Sequence, residues 1–82
     1  MNKLTTEVRD TILESLSLHL DTRDKRYMFL KCNFKQLTSR IQLEGTSYDC
    51  AWNIYEEFEK QQMLGSLVAT FNSIFETNLS LR

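Results

Sequence analysis

The chain predicts an all-α fold, a compact antiparallel bundle of five to six short helices, on three observations. It has no proline and only two glycines, Gly45 and Gly65, so few positions resist a helical backbone. Apolar residues recur at helical spacing in separate short stretches. Short polar residues suited to helix caps stand between those stretches. The 82 residues read as one domain, 1–82, near the lower size limit for a core without disulfides or metal, and the 41% apolar content is adequate for it. No repeat, low-complexity tract or composition shift marks a second domain.

The first helix is expected from about Thr6 to His19. Val8, Ile12, Leu13, Leu16 and Leu20 keep helical spacing, while Glu7, Asp10 and Glu14 fall together on the other side. Asp21 and Thr22 are suited to capping a second helix that runs from Arg23 through Tyr27, Met28, Phe29 and Leu30 to Cys32. Those bulky consecutive residues point in different directions, which predicts a central helix touched on most sides. Phe34, Leu37 and Ile41 mark a short third helix, with Lys35 and Arg40 outward, ended by Gln42 to Gly45.

Thr46 and Ser47 can cap a fourth helix, whose inner stripe is Ala51, Ile54, Tyr55 and Phe58 and whose outer residues are Asp49, Asn53, Glu56, Glu57 and Lys60. Gly65 and Ser66 are expected to break or bend the path before a fifth apolar stripe of Leu67, Val68, Phe71, Ile74 and Phe75. Leu79 and Leu81 either begin a sixth helix or dock the tail.

Charge is divided along the chain. From Arg23 to Arg40 there are six positive side chains and one negative; from Glu44 to Glu59 there are five negative and none positive, a split hidden by the net charge of -1. Opposed blocks of this kind favour a chain that binds a partner, its own copy included. Binding of DNA or RNA is disfavoured by a pI of about 5.7, because the acidic first and fourth helices would repel a phosphate backbone.

Catalytic chemistry finds little to work with. His19 is the only histidine, and at the C-terminal end of a helix it is expected to serve the terminal carbonyls and dipole. Glu56 and Glu57 are adjacent on a helix and point about 100° apart, so they do not share a pocket. No glycine-rich phosphate loop surrounds Gly45 or Gly65. A metal site from Cys32, Cys50, His19 and a carboxylate follows no recognised ligand spacing, and neither a metal nor any other cofactor is expected. Without a hydrophobic leader or an apolar run long enough to span a bilayer, the default location is cytoplasmic, with both cysteines as reduced, small core residues.

Tyr27 to Cys32, the run Phe34, Leu37, Ile41, then Ile54, Tyr55, Phe58, Leu64, Leu67, Val68 and the closing Asn78, Leu79 together resemble the death-fold superfamily. The layout is closest to the bacterial effector-associated, or death-like, domains, and Phe29 to Cys32 is also similar to a phrase of death-effector domains. The likeness extends from about Leu4 to Leu81 and rests on apolar spacing and short phrases. The Arg-x-Asp-Leu phrase of death-effector domains is missing, and a sixth helix is at most a stub.

The resemblance implies a non-enzymatic module in a defence or cell-death pathway. It would bind like domains, its own copy or an adaptor or effector, and so bring an attached protease or nuclease to its sensor. It also implies an asymmetric contact of the first and fourth helices of one copy with the second and third of the next. On that scheme the acidic face is Glu7, Asp10, Glu14, Asp49, Glu56 and Glu57, and the basic face is Arg23, Lys25, Arg26, Lys35 and Arg40. Head-to-tail contacts of this type build rings or open filaments. Trp52 lies beside the inner stripe of the fourth helix and is either an apolar contact or a core residue. Two other classes stay open: a helical nucleic-acid-binding regulator, and a small stand-alone adaptor or inhibitor that binds an unrelated partner.

Overall fold

Three threonines start three of the helices in the computed structural model, which describes residues 5–81. Thr5 Oγ1 accepts from the Val8 amide at 3.2 Å and opens α1 (Thr6–His19). Thr22 Oγ1 accepts from the Lys25 amide at 3.1 Å and opens α2 (Arg23–Asn33). Thr46 Oγ1 accepts from the Asp49 amide at 3.1 Å and opens α3 (Ser47–Lys60). Each cap satisfies an amide that has no partner inside its helix, a contribution of about 1 kcal/mol. The last helix, α4 (Leu64–Phe75), starts without a side-chain cap.

The expected third helix forms as a 3₁₀ segment, Lys35–Arg40. Phe34 leaves the α-helical path at φ -141°, ψ 55°, and the Leu37 amide then donates to the Phe34 carbonyl at 2.9 Å. A tighter turn keeps Phe34 and Leu37 on one face, and both are buried, as is Ile41 in the extended residue that follows. Leu43, in the connection to α3 where the sequence predicts only a helix end, is also buried. Gly45 turns that connection at φ +116°, a backbone setting that L side chains rarely adopt.

The break before the last helix falls earlier than expected. Met63 N donates to the Phe58 carbonyl at 2.8 Å and Gln62 N to the Glu59 carbonyl at 3.0 Å, with Gln62 left-handed at φ 58°. This is a Schellman ending, with glutamine where glycine is usual. Gly65 and Ser66 consequently lie inside the first turn of α4, where they do not break it. Glu76, left-handed at φ 55°, ends α4. No sixth helix forms among the described residues; the tail docks instead. Asn72 Nδ2 donates to the Leu79 carbonyl, and Asn72 Oδ1 accepts from the Leu79 amide, both at 2.9 Å, and from Thr77 Oγ1 at 2.8 Å.

The described residues form an all-helical bundle without strands, in which α1 packs along α3, α2 against the 3₁₀ segment and α3 against α4. Its radius of gyration, 11.5 Å, is close to the roughly 12 Å expected of a compact chain of this length. Ile12, Leu13, Leu16, Leu20, Leu30, Ile54, Phe58, Leu67 and Phe71 are almost wholly enclosed. An aromatic chain joins the elements: Phe29 of α2 lies 6.0 Å from both Phe34 and Phe71, and Phe34 meets Phe58 of α3 edge-on at 4.8 Å. Edge-to-face pairs contribute beyond the area they bury.

Three other expectations are corrected. Met28 and Ile74 are exposed, so α2 is covered on fewer sides than its bulky run implied and the α4 stripe is narrower. Of the two free thiols, Cys50 is buried as expected but Cys32 is exposed, because it lies outside the inner stripe of α2 formed by Arg26, Phe29 and Leu30.

Candidate interaction surface

Because α1 packs along α3, the elements that carry the acidic residues adjoin one another. Glu7, Asp10, Glu14, Asp49 and Glu56 are exposed, and Glu57 is half-buried with its Oε2 accepting from Gln61 Nε2 at 2.8 Å. Asp10 and Glu14 line an open groove of about 550 Å³ together with Ser17, Leu18, Asp21, Ser47 and Tyr48. Glu7 lines a separate hollow of about 230 Å³ between the first turns of α1 and the tail at Asn78 to Ser80. The six acidic residues thus divide among more than one surface feature.

The basic set also comes from adjoining elements, α2 and the 3₁₀ segment, but its charge is partly consumed within the molecule. Arg23 Nε meets Glu44 Oε2 at 3.1 Å, and Lys25 Nζ meets Asp21 Oδ1 at 3.0 Å. Lys35 and Arg40 are exposed and have no ion-pair partner among the described residues. Arg26 is a correction to the expected basic face. It is 4% exposed, and its guanidinium donates from Nε to the Leu43 carbonyl at 3.2 Å and from Nη1 to the Leu20 carbonyl at 3.0 Å. It ties the end of α1 to the connection before α3 and offers nothing to a partner. Its register with Phe29 and Leu30, at i+3 and i+4, is the periodic signal that marks it as inward.

Trp52 is half-buried. Its ring meets Tyr55 edge-on at 6.0 Å, and the Arg9 guanidinium, itself 3.3 Å from Asp10, lies 5.0 Å from the ring centroid. The indole is covered by a cation of its own chain and is a poor apolar contact. The apolar surface lies elsewhere, at Leu18 (70% exposed) and Tyr48 (48%), which share the acidic groove. Leu18 was legible as an outlier from the stripe Ile12, Leu13, Leu16 and Leu20. Tyr48 was not, since it is in register with the inner stripe of α3, three residues before Ala51.

The hydrogen bond and charge of Lys25 hold the Asp21 carboxyl below its ordinary range, and burial raises the Tyr55 phenol. His19 packs against Phe75 at 4.9 Å and edge-on to Phe71 at 5.5 Å, so its ring joins the aromatic cluster rather than the helix end. Among the described residues no three His, Cys, Asp or Glu side chains gather to hold a metal, and no helix is long and apolar enough to cross a membrane. Comparison of the chain with protein-family models, with curated proteins and with solved structures finds no match.

Proposed function

We propose that this chain is a non-catalytic interaction module that associates with its own copy or with a like domain through complementary charged faces. The pairing of elements supports this reading: α1 adjoins α3, the two helices that carry the acidic residues, and α2 adjoins the 3₁₀ segment, the two elements that carry the basic ones. Glu14, Asp49 and Glu56 on the first, and Lys35 and Arg40 on the second, lack ion-pair partners among the described residues. Uncompensated charges of opposite sign on one chain steer encounter and set register between copies, while apolar burial supplies most of the affinity. The resemblance to death-like domains extends the proposal to recruitment of an attached effector in a defence or cell-death pathway.

The revised basic face is Arg23, Lys25, Lys35 and Arg40, and charge reversal belongs at positions that leave the core intact. Glu14→Lys and Lys35→Glu are each expected to weaken self-association, measured by sedimentation at low salt, and an equimolar mixture of the two is expected to restore pairwise association. A wild-type chain that stays monomeric at high concentration and low salt, and captures no like domain, would sink the proposal. Binding of duplex or single-stranded nucleic acid in fluorescence anisotropy would replace it with the nucleic-acid reading.

A further inference from the structure

Among the described residues, the large apolar side chains that stand well exposed are Leu18, Met28, Tyr48 and Ile74. Leu18 is in the last turns of α1 and Tyr48 in the first turn of α3, yet both line the same groove. Asp10, Glu14 and Asp21 line it with them. Asp10 is paired with Arg9 and Asp21 with Lys25, which leaves Glu14 without an internal cation among the described residues. Two exposed apolar side chains beside an uncompensated carboxylate call for an occupant with an aliphatic side chain next to a positive one.

The chain carries such a surface on α2. Met28 is 53% exposed, and Lys31, three residues on, shares its helix face. Lys35 follows in the adjoining 3₁₀ segment and has no ion-pair partner among the described residues. An unbranched methionine adapts to an irregular groove better than a branched side chain does. Ile74, by contrast, sits on α4, which contains no charged residue and so offers no complement to Glu14.

We infer that the groove between Leu18 and Tyr48 is the apolar centre of the contact between copies, and that it receives Met28 of a second copy while Lys31 and Lys35 of that copy approach Glu14. The self-association proposed above is its premise; the new content is the apolar centre and the residue that enters it. Groove and Met28 surface are different patches of one chain, so a head-to-tail contact leaves each copy its other half free for a further neighbour.

The test uses the full chain, with circular dichroism to verify folding. Leu18→Ser and Met28→Ser, both at exposed positions, are expected to weaken self-association roughly tenfold or more, as loss of a central apolar anchor does, whereas Ile74→Ser leaves it unchanged. Exposed Cys32, one turn from Met28, supplies a second readout. With Ser17→Cys in the groove, a short bismaleimide is expected to link copies through Cys32, and the link is lost on adding Cys32→Ser. The same reagent with Ser73→Cys on α4 serves as the control and is expected to give none. If the wild type associates but Leu18→Ser and Met28→Ser associate equally well, or the link forms equally from Ser73→Cys, the groove contact is wrong while the charged-face reading stands. If the wild type does not associate at all, both fall.

Discussion

Arg26 and Lys35 belong to one run of positive charge and to adjoining elements, yet one is enclosed and the other stands in solvent. The enclosed cation works on the backbone. Its guanidinium bridges the carbonyls of Leu20 and Leu43, two points 23 residues apart in the chain, and so joins the α1–α2 turn to the connection before α3. The ion pairs around it, Arg23–Glu44 and Lys25–Asp21, span part of the same junction but have every partner more than half exposed. Charge held away from water on fixed carbonyls is structural, and charge at the rim is available to a partner. Counting positive residues in a run therefore overstates the basic face.

The strongest attack on that contrast is Arg26→Met. Methionine keeps much of the length and the apolar contact but has no donor, so two buried carbonyls lose their partner. Hydrogen bonds to a charged group are worth roughly 1.5–3 kcal/mol, and a loss of about 3 kcal/mol in urea unfolding is expected. An apolar substitute does not restore the balance here, because the carbonyls stay behind. Arg26→Lys is expected to lose less, since an ammonium reaches one carbonyl but lacks the planar fork that serves both. Wild-type stability in Arg26→Met would mean that the guanidinium does not hold the junction, and the distinction between the two cations would collapse.

A smaller effect sharpens the other half of the comparison. A double-mutant cycle on Arg23→Ala and Glu44→Ala is expected to give a coupling of about 0–1 kcal/mol that fades in salt, as exposed pairs do. A salt-insensitive coupling of about 3 kcal/mol, the size expected at Arg26, would place Arg23 in the structural class and remove it from the basic face.

Much of this fold is readable in the sequence. The stripes Ile12, Leu13, Leu16, Leu20 and Ala51, Ile54, Tyr55, Phe58 are buried as their spacing requires, and Thr22 and Thr46 cap the helices they precede. What escaped depended on tertiary packing or on unusual backbone. Gln62 ends α3 in a left-handed setting that favours glycine, so the break expected at Gly65 falls three residues earlier. Asn72 replaces a sixth helix with a two-way hydrogen bond to Leu79, an interaction between positions with no periodic signature. For the interaction surface, the exposure of Glu7, Asp10 and Glu14 is legible from their place opposite the apolar stripe of α1. The charge of Arg26 suggests a surface position while its register with Phe29 and Leu30 points inward, and the groove at Leu18 and Tyr48 arises only where two helices meet.

The smallest expected effect concerns Asp21, which belongs to the rim and also lines the groove. Its carboxyl is held below its ordinary value of 3.8, first by the hydrogen bond from Lys25 and then by that residue's charge. A carboxyl with a depressed folded-state pKa contributes stability that is present above the unfolded value and is lost as pH falls through the folded one. The contribution is therefore complete near neutrality and disappears in acid below about pH 4. Carbon-detected NMR titration of Asp21 is expected to give a midpoint under 3.8 that rises on Lys25→Ala and also on adding salt, since the pair is exposed. Asp21→Asn, which cannot titrate, is expected to flatten that part of the acid dependence without touching stability at neutral pH by as much as Arg26→Met does. A midpoint that ignores both salt and Lys25→Ala would show a rim charge behaving like the enclosed one, and the division between junction and surface would then follow something other than exposure.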